Sequence, residues 1–218
     1  MQLGIIKKVS AEEITKNLPN IVVLKGTDET KDGKPIYEPM EDDKAFIQIA
    51  NNSFIKKSLE LYSEAQKYST MEDKNMYFAF KENSGCYGNI GFYLKKNGQI
   101  YDKTKSAYIE LSTWQLKSFG TLDSITQILP HEMGHVLQKI VTSNDEDVKQ
   151  NSVDMHYSNI ITEYSTAFSE GFGEHFQVIS RMYEENTEIK NGIYEDLDRV
   201  KNSTHPMMWG GIEILFFL

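Results

Sequence analysis

The feature that most restricts the fold is a change of character at Gly120. Upstream of it the chain carries short β-prone runs broken by turn signals. Downstream of it, apolar residues recur at helical spacing. Residues 20–25 hold Ile21, Val22, Val23 and Leu24 and end at a Gly26 turn. Residues 27–43 are polar, contain Gly33 and two prolines, and read as a loop. Residues 53 to about 67 put Phe54, Ile55, Leu59, Tyr62 and Ala65 at helical spacing. Residues 76–80, 87–94 and 106–111 read as strands, with Asn97-Gly98 as a turn between the last two. Residues 122–141, 160–185 and 206–218 read as helices. Strands with one helix, then a run of helices, predict an α+β protein. The expected organisation is a single domain, 1–218, with an α+β lobe at 1–141 and a helical lobe at 142–218. A cleft between the two is the natural place for chemistry.

The bulk properties remove several function classes. The formal charge of −9 argues against nucleic acid, whose binding needs Lys and Arg on the phosphates. No apolar stretch reaches the length a membrane helix requires. Cys86 is the only cysteine, so there is no internal disulfide and no multi-cysteine metal site; it reads as a buried structural residue. Residues 1–8 are too short and too soon charged for a signal peptide. That leaves a cytoplasmic protein, or a secreted or cell-envelope one whose signal has been removed. At the other end, residues 209–218 stop in an apolar run without a cap, which points to a natural chain that continues past Leu218.

His131-Glu132-Met133-Gly134-His135 matches the H-E-x-x-H zinc motif. Two histidines four apart on a helix lie one turn apart on one face, so both rings can reach one tetrahedral ion. Glu132, ~100° round from His131, is placed to meet a metal-bound water and act as general base. Leu122, Ile125, Leu129, Met133, Val136, Leu137 and Ile140 form an apolar stripe, from whose centre the His pair points roughly 160–200° away. Pro130 removes one backbone donor, which a kink or a helix start near Pro130 would absorb.

A catalytic zinc needs a third protein ligand. The extended H-E-x-x-H-x-x-G-x-x-H form is absent, because Gln138 and Val141 stand at its last two positions. The best source is the next helix, where Glu170 and Glu174 share a face and Phe168, Phe172, Phe176, Ile179 and Tyr183 line the opposite one. His175 leans toward the Phe side and reads as structural. Ala167, Gly171 and Gly173 are small enough to let another helix approach closely.

H-E-x-x-H followed by a helix bearing E-x-x-x-(D/E) resembles the gluzincin metallopeptidases, the thermolysin-like and related families. Ser169-Glu170-Gly171-Phe172-Gly173-Glu174 is similar to the S-E-G-x-A-E stretch of bacterial members and to the E-F-F-A-E stretch of lethal-factor-type toxins. The resemblance spans roughly residues 106–183. It implies that Glu170 completes a zinc site with His131 and His135, one ion per chain. It also implies that Glu174 accepts a hydrogen bond from His131. The fold it implies is zincin-like, with a small twisted sheet and a helix over the motif helix and a helical C-terminal part. Residues 106–111 would then be the edge strand to which an extended peptide adds.

The expected activity is peptide-bond hydrolysis by a metal-activated water, with a peptide or protein as substrate. Gluzincins add a Tyr or His donor to the oxyanion; Tyr164, six residues before Glu170, is the first candidate and His205 the second. An acidic loop with Asp145, Glu146, Asp147 and Asp154 is a weaker candidate for calcium. The alternative function is a catalytically inactive zincin-like domain that binds a partner.

Overall fold

Two Asx-Gly pairs create the hairpins from which the sheet is built. Asp32-Gly33 and Asn97-Gly98 have consecutive positive φ angles, 51° and 73° in the first and 51° and 76° in the second. That is what a two-residue type I′ turn requires. The computed structural model describes residues 18–40, 53–113, 125–142, 164–181, 187, 190 and 191. In it Asp32-Gly33 joins β1 (Ile21–Lys31) to β2 (Lys34–Pro39). After β3 (Met76–Lys81), Asn97-Gly98 joins β4 (Tyr87–Lys96) to β5 (Gln99–Ser112). Residues 27–40, expected to be loop, are therefore mostly hairpin. Their polarity reflects an exposed hairpin end: Glu29, Thr30 and Lys31 face solvent, and so do both turn residues.

The strands close into a barrel in the order β1-β2-β4-β5-β3, with β3 returning to β1. Pairing is mixed. β1 with β2 and β4 with β5 are antiparallel, whereas β1 with β3, β2 with β4 and β3 with β5 are parallel. This overturns the expected α+β zincin-like fold, with its small twisted sheet and helical C-terminal part. The sheet is a closed five-stranded mixed barrel, and three helices are present among the described residues. The physical sign of closure is β3, where Met76, Tyr77, Phe78, Ala79 and Phe80 are all buried. A strand buried on both faces needs a lumen on one side and a covering layer on the other.

Alternation sorts those two faces. Leu24, Tyr37, Tyr77, Ala79, Phe92, Leu94 and Tyr108 pack together as the lumen filling. The outward set, with Ile21, Met76, Phe78, Phe80, Ala107, Ile109 and Leu111, packs against the helices. Residues 106–111 are also corrected as an edge strand. They belong to β5, which pairs with β3 on one side and β4 on the other over this stretch, so no free edge remains there for a peptide.

The helices are α1 (Ser53–Ala65), α2 (Ile125–Thr142) and α3 (Tyr164–Arg181). α1 contributes Ile55, Leu59 and Tyr62, and α2 contributes Leu129, Met133, Val136, Leu137 and Ile140, to the same outer core. Ser58 Oγ donates to Ser180 Oγ at 2.9 Å, tying α1 to α3. α2 starts five residues before Pro130 and runs through it, so the helix gives up one backbone bond there and does not begin at the proline. Cys86 is half-buried and packs on this core. No helix among the described residues is long and apolar enough to cross a membrane. The expected helix at 206–218 and the acidic loop around Asp145 to Asp154 lie outside the described residues.

Candidate metal centre

α2 is covered on both sides. Its apolar stripe lies on the barrel's outer face, and its histidine face lies against α3. The helices meet at glycine on each. A Cβ on Gly134 would stand 2.9 Å from Gly173 Cα, and a Cβ on Gly173 would stand 2.9 Å from His131 Cε1. Glycine in a helix interior costs about 1 kcal/mol relative to alanine, and the close approach of the His131 ring explains it at Gly173. Gly171 has no such neighbour, and Ala167 is exposed, so of the three small residues expected at a helix contact only Gly173 makes one.

His131, Glu132 and His135 are buried, at 4%, 3% and 9% exposure. Nε2 of His131 lies 3.1 Å from Nε2 of His135. Glu170 presents Oε2 at 3.3 Å from the first of these nitrogens and Oε1 at 3.6 Å from the second. One ligand atom from each of the three residues falls within 4.8 Å of the others, so the group can hold a metal ion. The two Glu170 contacts are made by different oxygens, so the carboxylate faces both nitrogens at once. Two nitrogens and a carboxylate form a donor set that several first-row divalent ions accept, zinc among them.

The electrostatics make the same demand for positive charge. Burial works against a charged His131, but the Glu170 and Glu174 carboxylates, with Glu132, outweigh it and push the pKa up to about 10. Burial likewise opposes ionisation of Glu170, yet the two imidazoles hold its pKa well below the usual carboxylate range. A proton on His131 thus occupies the role that a cation would take.

Further side chains lie beside the Nδ1 atoms of both rings. Glu174 Oε1 lies 3.4 Å from His131 Nδ1, an ion-pair distance and not the hydrogen bond the resemblance implied. Ser169 Oγ lies 3.2 Å from His135 Nδ1. Glu132 does not join the triad; its Oε2 accepts from the Gly88 backbone N–H at 2.8 Å. Gly88 is where β4 crosses α2, because a Cβ there would run into the Glu132 carbonyl oxygen. Lys139 reinforces the crossing, donating to Asn89 Oδ1 at 2.7 Å and to the Gly88 carbonyl at 3.3 Å.

The structure therefore brings together His131, His135, Glu170, Glu174 and Glu132. Tyr164 is the first residue of α3, but its side chain lies outside what is described, and so does His205 entirely. His175, expected on the buried Phe side, is exposed. Sequence reasoning missed Gly88, Ser169 and Gln138. A glycine inside a strand is a signal for close backbone approach, so Gly88 was findable. Ser169 opens the stretch similar to S-E-G-x-A-E, which does not name its partner, and Gln138 carries no signal before the helices are docked. Comparison with protein-family models, with curated proteins and with solved structures finds no match to this chain.

Proposed function

We propose that this protein is a zinc-dependent peptidase using a gluzincin-type ligand set, His131, His135 and Glu170, carried on a barrel scaffold. The observation that supports it most is the gathering of one ligand atom from each of three residues within 4.8 Å, with Glu132 one position from His131 and its carboxylate held by the Gly88 N–H. Function lives in sites, and one constellation recurs on unrelated folds, so the barrel does not count against the chemistry. Zinc bound there would supply Lewis-acid polarisation and lower the pKa of a bound water to about 7.

The chain's own residues divide the remaining work. Glu132 takes a proton from the attacking water as oxygen adds to the peptide carbonyl carbon. It returns a proton to the amine nitrogen as the C–N bond breaks. Glu174 holds the His131 ring. Tyr164 and His205 are the candidates for a donor to the oxyanion. Burial of the histidines limits access of bulk water, which strengthens each of these interactions.

Metal analysis of the purified protein, with wild type and Glu132→Gln digests of a peptide library, tests the reading. About one zinc per chain with cleavage by wild type alone supports it. Zinc without cleavage by either protein leaves a partner-binding metal domain, and a protein that takes up no metal removes both.

A further inference from the structure

The two histidines are supported from behind in different ways. His131 Nδ1 faces the Glu174 carboxylate at 3.4 Å. His135 Nδ1 faces the Ser169 hydroxyl at 3.2 Å, and that hydroxyl also lies 3.0 Å from Gln138 Oε1. Gln138 follows His135 on α2, whereas Ser169 precedes Glu170 on α3. The three side chains thus span the helix contact immediately behind the candidate metal ligands.

Counting hydrogens assigns the direction of the bonds. A serine hydroxyl has one hydrogen, and Gln138 Oε1 can only accept, so the Ser169 hydrogen goes to Gln138. Ser169 Oγ then has only lone pairs to offer His135, and Nδ1 must be the protonated nitrogen. That leaves Nε2 of His135 unprotonated and facing His131 Nε2 and Glu170. A neutral imidazole can carry its proton on either nitrogen, and only this tautomer can ligate through Nε2. We infer that Ser169, oriented by Gln138, is a positioning residue that selects the metal-binding tautomer of His135 and fixes its ring.

The inference rests on the metal reading above. It also explains why the support is neutral. Glu132, Glu170 and Glu174 already place three carboxylates around the two rings, more than one divalent ion neutralises. A fourth behind His135 would add charge repulsion, whereas a hydroxyl backed by an amide holds the ring without it.

The test is zinc affinity by chelator competition, together with the His135 ring N–H proton signal of the zinc-loaded protein. Ser169→Ala and Gln138→Leu are compared with Ser169→Thr, and His131→Ala serves as the control. Loss of the hydroxyl in Ser169→Ala should weaken zinc binding by about 10–100-fold and let the Nδ1–H signal vanish through exchange, with Gln138→Leu shifting the same way by less. Ser169→Thr should stay within about threefold of wild type and keep the signal. Should Ser169→Ala not fold, the contrast between Ser169→Thr and Gln138→Leu decides the matter. Wild-type affinity and an unchanged ring signal in Ser169→Ala, or in Gln138→Leu where that variant decides, would overturn the inference while His131→Ala still loses zinc. Unaltered zinc binding by His131→Ala would instead overturn the metal reading itself.

Discussion

Two carboxylates in this protein, one buried and one half-buried, sit in opposite kinds of company. Inside the barrel, Glu110 is 2% exposed and accepts from Tyr37 Oη at 2.6 Å and from the Ser84 hydroxyl. Its partners are proton donors. Burial, with Tyr108, Tyr87 and Glu110 nearby, drives the Tyr37 pKa far above the ordinary phenol value, so Tyr37 stays protonated and keeps donating. Between α2 and α3, Glu170 meets two imidazole nitrogens instead, themselves 3.1 Å apart. The first cluster is complete as it stands. The second is stable only with positive charge among its members, either a proton or a metal ion. Burial alone does not mark a functional carboxylate; the hydrogen inventory of its neighbours does.

The comparison can be broken or sharpened from either side. The largest effect is expected from Glu132→Gln, which should lower the proposed peptidase turnover by about 10²–10⁴-fold while zinc content stays at the wild-type level. Equal loss of zinc in this variant would mean that Glu132 is a ligand and not a base. Next, Glu110→Ala leaves the Tyr37 and Ser84 hydroxyls buried without their acceptor. It should cost about 3 kcal/mol of unfolding free energy in a urea titration, with no change in zinc affinity. If zinc affinity falls with it, the two clusters are coupled and the contrast drawn here fails.

Glu174→Ala should act in the reverse sense, weakening zinc binding by about 10–100-fold with a smaller effect on stability. An affinity equal to wild type would show that the 3.4 Å contact to His131 does not orient the ring. The smallest effect is a pH dependence of the metal-free protein. His131 has a raised pKa, so its contribution is complete below the ordinary value of 6.5 and is lost as pH rises toward about 10. Glu170 has a depressed pKa, so its contribution is present above the ordinary 4.5 and is lost as pH falls below that. Without metal, stability from this pair should peak between those two values and decline toward alkaline pH. Zinc should bind more tightly over the same rise, as the His131 proton leaves. A urea midpoint that climbs from pH 6.5 to pH 10 in metal-free protein would contradict this assignment.

Much of the candidate site was legible before any fold was known. His131 and His135 must share a face wherever their helix forms, because 3.6 residues per turn brings positions four apart together. Glu170 and Glu174 obey the same rule on their own helix. The two helices do lie against each other, with Glu170 beside the histidines. Less could be read of the groups that hold these side chains. Gly88 lies 44 residues from Glu132, and Ser169 lies 34 from His135, distances over which no local pattern runs.

The fold was legible only in pieces. The runs at Ile21, Met76, Tyr87 and Ser106 announced strands, and Asn97-Gly98 announced its hairpin, but Asp32-Gly33 was passed over inside a polar stretch. The α+β zincin-like reading failed because periodicity reports which face of a strand is buried, not which strand lies beside it. Whether β3 returns to β1 and closes the sheet depends on non-local pairings such as Leu24 with Ala79 and Ala79 with Glu110. By itself, then, the sequence determined what is set within one helical turn or one hairpin: the paired histidines, the paired glutamates, the tight turn at Asn97-Gly98. Only the tertiary structure decided what depends on contacts between distant segments: the closed barrel, the carboxylate sealed in its lumen, and the meeting of Glu170 with the two histidines.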